Sequence, residues 1–261
     1  MNFGALIIGD EILSGRREDK HLARTIAALE SRGLALAWAH YIGDEPARIV
    51  AEIRAAAASG DTVFSFCGIG ATPDDHTRQC AAQALGVELA LHPEAAALIT
   101  QRGTEMAAEK GVAYDLASPD HQRRLNMGVF PAGASLIPNP YNRIPGFSVG
   151  HLHFMPGFPV MAHPMLDWVL DTCYADQTGA LALRAVRVRG TNESALIPVF
   201  ERIEATFPGV RSFSLPSVDH PTWGPHIEIG VKGADPVQVE LAMASLREGA
   251  AGTGATEIDP S

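Results

Sequence analysis

The feature that most constrains this chain is an alternation. Three short apolar runs each end in a glycine- or acid-bearing turn, and a helix-patterned segment follows each turn. Residues 3–9 (FGALIIG) lead into Gly9-Asp10-Glu11, and residues 34–42 (LALAWAHYI) into Gly43-Asp44-Glu45. Residues 61–66 (DTVFSF) lead into CGIGATPDD at 67–75. Asp19 is placed to cap a helix with Leu22, Ile26 and Leu29 on one face, ended by Gly33. Pro46 opens a second helix, through about Ala58, with Ile49, Ile53 and Ala57 aligned. Such alternation predicts an α/β fold: a mostly parallel sheet covered by helices on both faces. Ligands of these sheets sit at the carboxyl ends of the strands, so the three turns are predicted to share one rim.

The later chain is patterned differently. Residues 87–130 carry helical stretches near 93–110 and 118–127. Residues 129–160 are rich in proline and glycine, which predicts short strands and turns. Pro164 to Asp171 reads as a closing helix, so a first domain is expected over 1–173, with a linker at 174–181. Residues 182–261 then read strand 182–189, helix Ser194–Thr206, strands 210–215 and 226–232, helix Pro236–Glu248 and a last strand. Pro198 fits that first helix only near its first turn. This β-α-β-β-α-β order predicts a small ferredoxin-like unit.

Composition narrows the function. Apolar residues make up 46% of the chain, enough for a packed core, yet none of the runs reaches the ~18 residues a membrane span needs. The start, MNFGALIIGDE, reads as a first strand and not as a signal peptide. Cys67, Cys80 and Cys173 are few, odd in number and widely spaced, which suggests a reducing, cytoplasmic compartment. A net charge of −10 disfavours a nucleic-acid partner. A small phosphorylated ligand remains, because backbone amides can hold it.

The 67–75 turn carries the chemistry. Thr72 suits a helix N-cap, Pro73 the first helical position and Asp75 the third, like a capping box. That structural role does not require Gly68-Ile69-Gly70, whose backbone can approach an anion closely. Before the first helix, Ser14-Gly15 offers a hydroxyl and an exposed backbone, and Arg16, Arg17 and Lys20 could neutralise phosphate. Cys67 reads as a small buried residue at a strand end, His151 and His153 as a strand face, and the GAAG at 249–252 as an ordinary loop. Trp38, Trp168 and Trp223 read as packing residues.

Taken together, IIGDEILSG, YIGDE and CGIGATPDDHTRQCAAQALG resemble the MoCF (MoaB/Mog-like, molybdopterin-binding) domain. With LIPNPYNRIPGF, FMPGFPVMAHPM and VRGTNESAL they look more closely like the N-terminal part of the competence/damage-inducible protein A (CinA) family. The resemblance implies a MoaB/Mog-like domain followed by a small α+β domain. It implies a molybdopterin-type or dinucleotide ligand and, in the CinA line, metal-dependent ADP-ribose pyrophosphatase activity. With the last residue at Ser261, nicotinamide-mononucleotide deamidation, which belongs to a further amidohydrolase domain, is not expected. The sequence departs from the family pattern at Cys67 (usually glycine), Ala71 (usually proline), Asn142-Arg143-Ile144 (usually Gly-Thr-Ala) and His163-Pro164.

The resulting expectations are specific. Gly68, Gly70 and Thr72, with Ser14, Gly15 and Arg143, would bind phosphate; Asp10, Asp44, Asp74 and Asp75 would recruit Mg²⁺ or Co²⁺. Asp74 and Asp75 would be catalytic, Asp75 orienting the attacking water. The rival reading is a non-catalytic binding or scaffold protein with an altered site. Self-association is expected, since MoaB/Mog-like domains commonly associate.

Overall fold

The computed structural model describes residues 2–73, 75–177 and 182–259. Asp74 and linker residues 178–181 lie outside these. The chain divides into two compact units, Met1–Ser31 with Ala35–Gln177, and Arg32–Leu34 with Thr178–Ser261.

The first unit runs β1 (Phe3–Ile8), α1 (Asp10–Leu13), α2 (His21–Glu30), β2 (Leu36–Ile42), α3 (Pro46–Ser59) and β3 (Thr62–Phe66). It continues with α4 (Thr77–Leu85), β4 (Leu89–Leu91), α5 (Pro93–Glu109), α6 (Pro119–Leu125) and β5 (Val129–Pro131). It closes with β6 (Ser135–Ile137), β7 (Gly146–Val149), β8 (Leu152–Met155) and α7 (Pro159–Cys173). Six strands form one sheet in the order β2-β1-β3-β8-β7-β6. The first four pair in parallel, and β7 and β6 add antiparallel pairs.

Every residue of β1 and β3 is buried, which is why both read as unbroken apolar runs. Leu6, Ile8 and Val63 pack with Ile49 and Ile53 of α3 and Cys80 and Ala81 of α4. On the alternate positions Phe64 stacks on Phe3 at 6.1 Å, and Phe66 stacks on His21 of α2 at 4.6 Å. Asp19 caps α2 as expected, accepting from His21 N at 2.8 Å and Leu22 N at 3.0 Å. The buried stripe of α2 is not the expected one: His21, Thr25, Ala28 and Leu29 face inward and Ile26 is exposed. Two polar residues take the inner face, each with one side-chain polar atom bonded, while His21 Nδ1 is buried without a partner among the described residues. The Thr25 hydroxyl donates to His21 O at 2.8 Å, and His21 Nε2 meets Gly157 O at 3.2 Å.

Two prolines sit deeper in helices than the sequence suggested. α7 starts at Pro159, which leaves Pro164 in its interior without a proton for the carbonyl four residues back. Pro198 likewise lies beyond the first turn of its helix. The two histidines of HLH separate: His151 lies in a turn, while buried His153 sits on β8. The ring nitrogens of His153 lie 2.8 Å from Ser148 Oγ and 2.7 Å from the Tyr174 hydroxyl.

The second unit runs β9 (Ala182–Arg189), α8 (Glu193–Thr206), β10 (Val210–Ser217), β11 (His226–Gly233), α9 (Pro236–Ala251) and β12 (Thr256–Asp259). Its antiparallel sheet has the order β10-β11-β9-β12, the ferredoxin-like arrangement. Val186, Val188, Ile229 and Val231 pack against Leu196 and Ile203 of α8 and Leu246 of α9. The GAAG segment is mostly helix, not loop: a Cβ on Gly249 would stand 2.4 Å from Val199, so the glycine lets α8 and α9 approach.

Burial holds the His153 pKa down to about 4, below its ordinary 6.5. The folded state thus disfavours the proton that the unfolded chain accepts. Stability present above pH 6.5 is expected to decline as pH falls towards 4. Urea midpoints across that window should fall less steeply in His153→Asn than in the parent; an identical pH dependence would rule the residue out.

Candidate functional site

The turns after β1, β2 and β3 line one cavity of about 600 Å³, with Glu11, Asp44 and the Gly68–Thr72 loop on its wall. Two later segments complete it: Asn139, Asn142, Ile144 and Pro145 before β7, and Pro156, Gly157 and Phe158 before α7. All of these residues belong to the first unit.

The first turn divides its acids. Because α1 begins at Asp10, Glu11 and Ile12 line the cavity, and Asp10 turns instead to the second rim turn. Asp10 N donates to Asp44 Oδ2 at 2.8 Å, and Asp44 N donates to Asp10 Oδ1 at 3.3 Å. Asp10 Oδ1 also occupies the space of a Gly43 side chain: a Cβ there would stand 2.3 Å away. This reciprocal pair staples two strand ends together. Ser14 and Gly15 follow α1 outside the cavity lining, with Ser14 Oγ donating to Glu11 O at 3.3 Å.

The loop after β3 is built by strain and by its own aspartate. Cys67 (φ 78°) and Gly68 (φ 72°) are both left-handed, a conformation that costs a non-glycine residue about 1–2 kcal/mol. α4 starts at Thr77, not at Pro73. Thr72 N donates to Asp75 Oδ2 at 2.8 Å, the Thr72 hydroxyl donates to the same oxygen, and Asp75 N returns to Thr72 O at 3.0 Å. The capping-box pattern therefore closes a freestanding turn. The Thr72 donors expected to hold phosphate are engaged by Asp75, whose Oδ2 stands 2.5 Å from where a Gly70 Cβ would be.

Other donors remain open. No acceptor among the described residues answers the backbone N–H groups of Gly68, Ile69, Gly70 and Ala71. The carbonyls behind them are held by α4: Gly68 O accepts from Thr77 N at 3.0 Å, and Ile69 O accepts from the Arg78 guanidinium.

Of the cations the sequence offered, Arg17 lines the cavity, and Arg16, Lys20 and Arg143 do not. Arg143 pairs instead with Glu105. The Arg17 guanidinium lies 5.2 Å from the centre of the Phe158 ring. Arg78, only 4% exposed, lies behind the loop; burial lowers its pKa and the charge of Asp75 opposes that. Its one sequence signal is a basic residue in a helix's first turn, where the dipole disfavours it. Asn139 was also missed. Its buried amide donates to Asn142 Oδ1 at 2.8 Å and Ile144 O at 2.9 Å, and so shapes the opposite wall.

Cys67 is half-buried on the cavity wall, and desolvation pushes its thiol pKa up to about 12, which disfavours the reactive thiolate. Its sulfur takes up the space that a Cβ on Gly157 would need, 2.6 Å away. The described carboxylates do not form a cation site either. Among the described residues no group of three or more His, Cys, Asp or Glu is placed to hold a metal ion. Asp10 and Asp44 spend oxygens on each other's amides and Asp75 spends one on Thr72, while Asp74 lies outside the described residues. The described residues therefore do not fit a divalent cation.

Fold and cavity together define an α/β ligand-binding domain with its site at the carboxyl ends of parallel strands. Residues 4–174 match the family described as a probable molybdopterin binding domain, and the chain belongs to that family. It is 29% identical to a CinA-like protein of Syntrophotalea carbinolica over 193 residues, covering 72% of this chain and 44% of that protein. It is 34% identical to a CinA-like protein of Geotalea uraniireducens over 171 residues, covering 64% of this chain and 38% of that protein. The chain thus spans less than half the length of these curated relatives. Among solved structures, it is similar to the protein CinA, of unknown function, from Thermoplasma acidophilum, with a TM-score of 0.54 and 26% identity. That match covers 65% of this chain and 96% of the other.

The Cys67–Gly157 contact gives a direct test of loop packing. Gly157→Ala should cost about 1–3 kcal/mol by overpacking against the thiol. In a Cys67→Gly background the same change should cost much less, as read from urea unfolding. Equal costs in both backgrounds would show that the two residues do not share this space.

Proposed function

We propose that the cavity binds a small phosphorylated ligand bearing a planar ring, of the molybdopterin or nucleotide type. The observation that carries this is the run of N–H groups from Gly68 to Ala71 without an acceptor among the described residues, on the wall of a cavity of ligand size. Phosphate would accept from these amides, with Arg17 adding charge. Ile12, Met127, Ile144, Pro145 and Met161 offer apolar surface to a ring. Glu11 offers acceptors to the amino and ring N–H groups of a pterin or purine. Family membership favours the pterin. The proposed partners are this ligand and further copies of the chain, not nucleic acid, given the net charge of −10. No described helix is long and apolar enough to cross a membrane.

The resemblance to the CinA line also supports a hydrolytic version, in which ADP-ribose is cleaved at its pyrophosphate with Asp75 placing the water. The arrangement of the described carboxylates favours binding without turnover.

Calorimetry with 6-hydroxymethylpterin phosphate and with ADP-ribose should show binding of at least one in the micromolar range. AMP release from ADP-ribose with Mg²⁺ or Co²⁺ should not exceed that of an Asp75→Asn control. Release well above the control would establish the hydrolytic version, and binding of neither compound would defeat the ligand assignment.

A further inference from the structure

We propose that Arg78 is the positioning residue of the anion seat, and that it makes the cavity discriminate a phosphorylated ligand from its unphosphorylated counterpart. This rests on the ligand reading above and assigns its charge recognition to a side chain outside the cavity lining.

The argument starts from the planarity of the peptide. In a trans peptide the C=O and the following N–H point in opposite directions. Thr77 N holds the Gly68 carbonyl at 3.0 Å, so the N–H of Ile69 points away from α4. The Arg78 guanidinium holds the Ile69 carbonyl, so the N–H of Gly70 points away from α4 as well. Those are two of the N–H groups left without an acceptor. The first two residues of α4 thereby aim adjacent amides, and one of the two grips is a charged side chain.

Packing alone gives no reason for that charge. A guanidinium 4% exposed pays a desolvation cost, and the positive end of α4 adds repulsion. An apolar side chain of similar volume would fill the space without either penalty. Asp75 supplies one negative charge nearby, but its Oδ2 already accepts from Thr72. A second group behind the loop is also unanswered. The Thr77 hydroxyl is fully buried, lies 2.0 Å from where a Gly68 Cβ would be, and has no hydrogen-bond partner among the described residues. An anion seated on the Ile69 and Gly70 amides, in front of the loop, would offset the buried charge of Arg78 behind it, while the Thr77 hydroxyl stays on the α4 side.

The test compares 6-hydroxymethylpterin with its phosphate ester by calorimetry on the full chain. The parent should bind the ester more tightly, with an affinity that falls as salt is added. Arg78→Met should weaken ester binding about tenfold and leave the alcohol unchanged, since a hydrogen bond to a charged group is worth that much. Arg78→Lys should keep most of the preference. Arg78→Gln, which can still donate to Ile69 O but lacks the charge, should keep little, and it serves if Arg78→Met does not fold. An equal loss for both ligands would show a merely structural role and overturn the proposal. So would an unchanged preference in Arg78→Met and Arg78→Gln. If the parent binds both forms equally, the anion seat falls while the ring pocket stands; if it binds neither, the ligand reading falls with it.

Discussion

The site depends on how α4 begins. A helix that started at Pro73 would direct the Thr77 N–H to the Pro73 carbonyl, four residues back, and so release the carbonyl of Gly68. Instead Thr72 and Asp75 close on each other, α4 waits until Thr77, and its first two residues take the carbonyls of Gly68 and Ile69. The loop is held from behind by its carbonyls, which leaves N–H groups open in front. The same hold explains why Gly68 lacks a side chain: the Thr77 hydroxyl is already there.

The rim is a joint product of three strand ends. β1 lies between β2 and β3, so turns far apart in sequence leave the sheet side by side. The exchange of hydrogen bonds between Asp10 and Asp44 fixes the first two turns together. Cys67, anchored to Met155 O on β8, fixes the third to the far side of the cavity. The acids of the rim thus have two duties. Asp10 is structural, Asp44 both holds Asp10 and lines the cavity, and Glu11 is presented to the cavity.

Much of the fold was legible because burial on both faces writes continuous apolar runs, as in β1 and β3. The ferredoxin-like unit was legible because its strands alternate, as in Val186 and Val188 against Arg187 and Arg189. Errors arose where polar residues do the packing. His21 and Thr25 took the inner face of α2 that Leu22 and Ile26 advertised. The site was legible as a set of turns but not as a set of side chains. One residue of phase in α1 decides that Glu11 and not Asp10 faces the cavity. A distant Glu105 decides that Arg143 is engaged elsewhere. Thr72-Pro73-Asp74-Asp75 satisfies the rules of a helix start, and only the tertiary grip of Thr77 and Arg78 on the preceding loop overrides them.

The central claim is that the amides of Ile69 and Gly70 are open in the free protein and closed by an anion. Amide hydrogen exchange of these two residues, with and without saturating inorganic pyrophosphate, measures this directly. The account predicts fast exchange in the free protein and marked protection on adding the anion, with amides elsewhere in the sheet unchanged. Slow exchange in the free protein, or binding that protects other amides and not these, would contradict it.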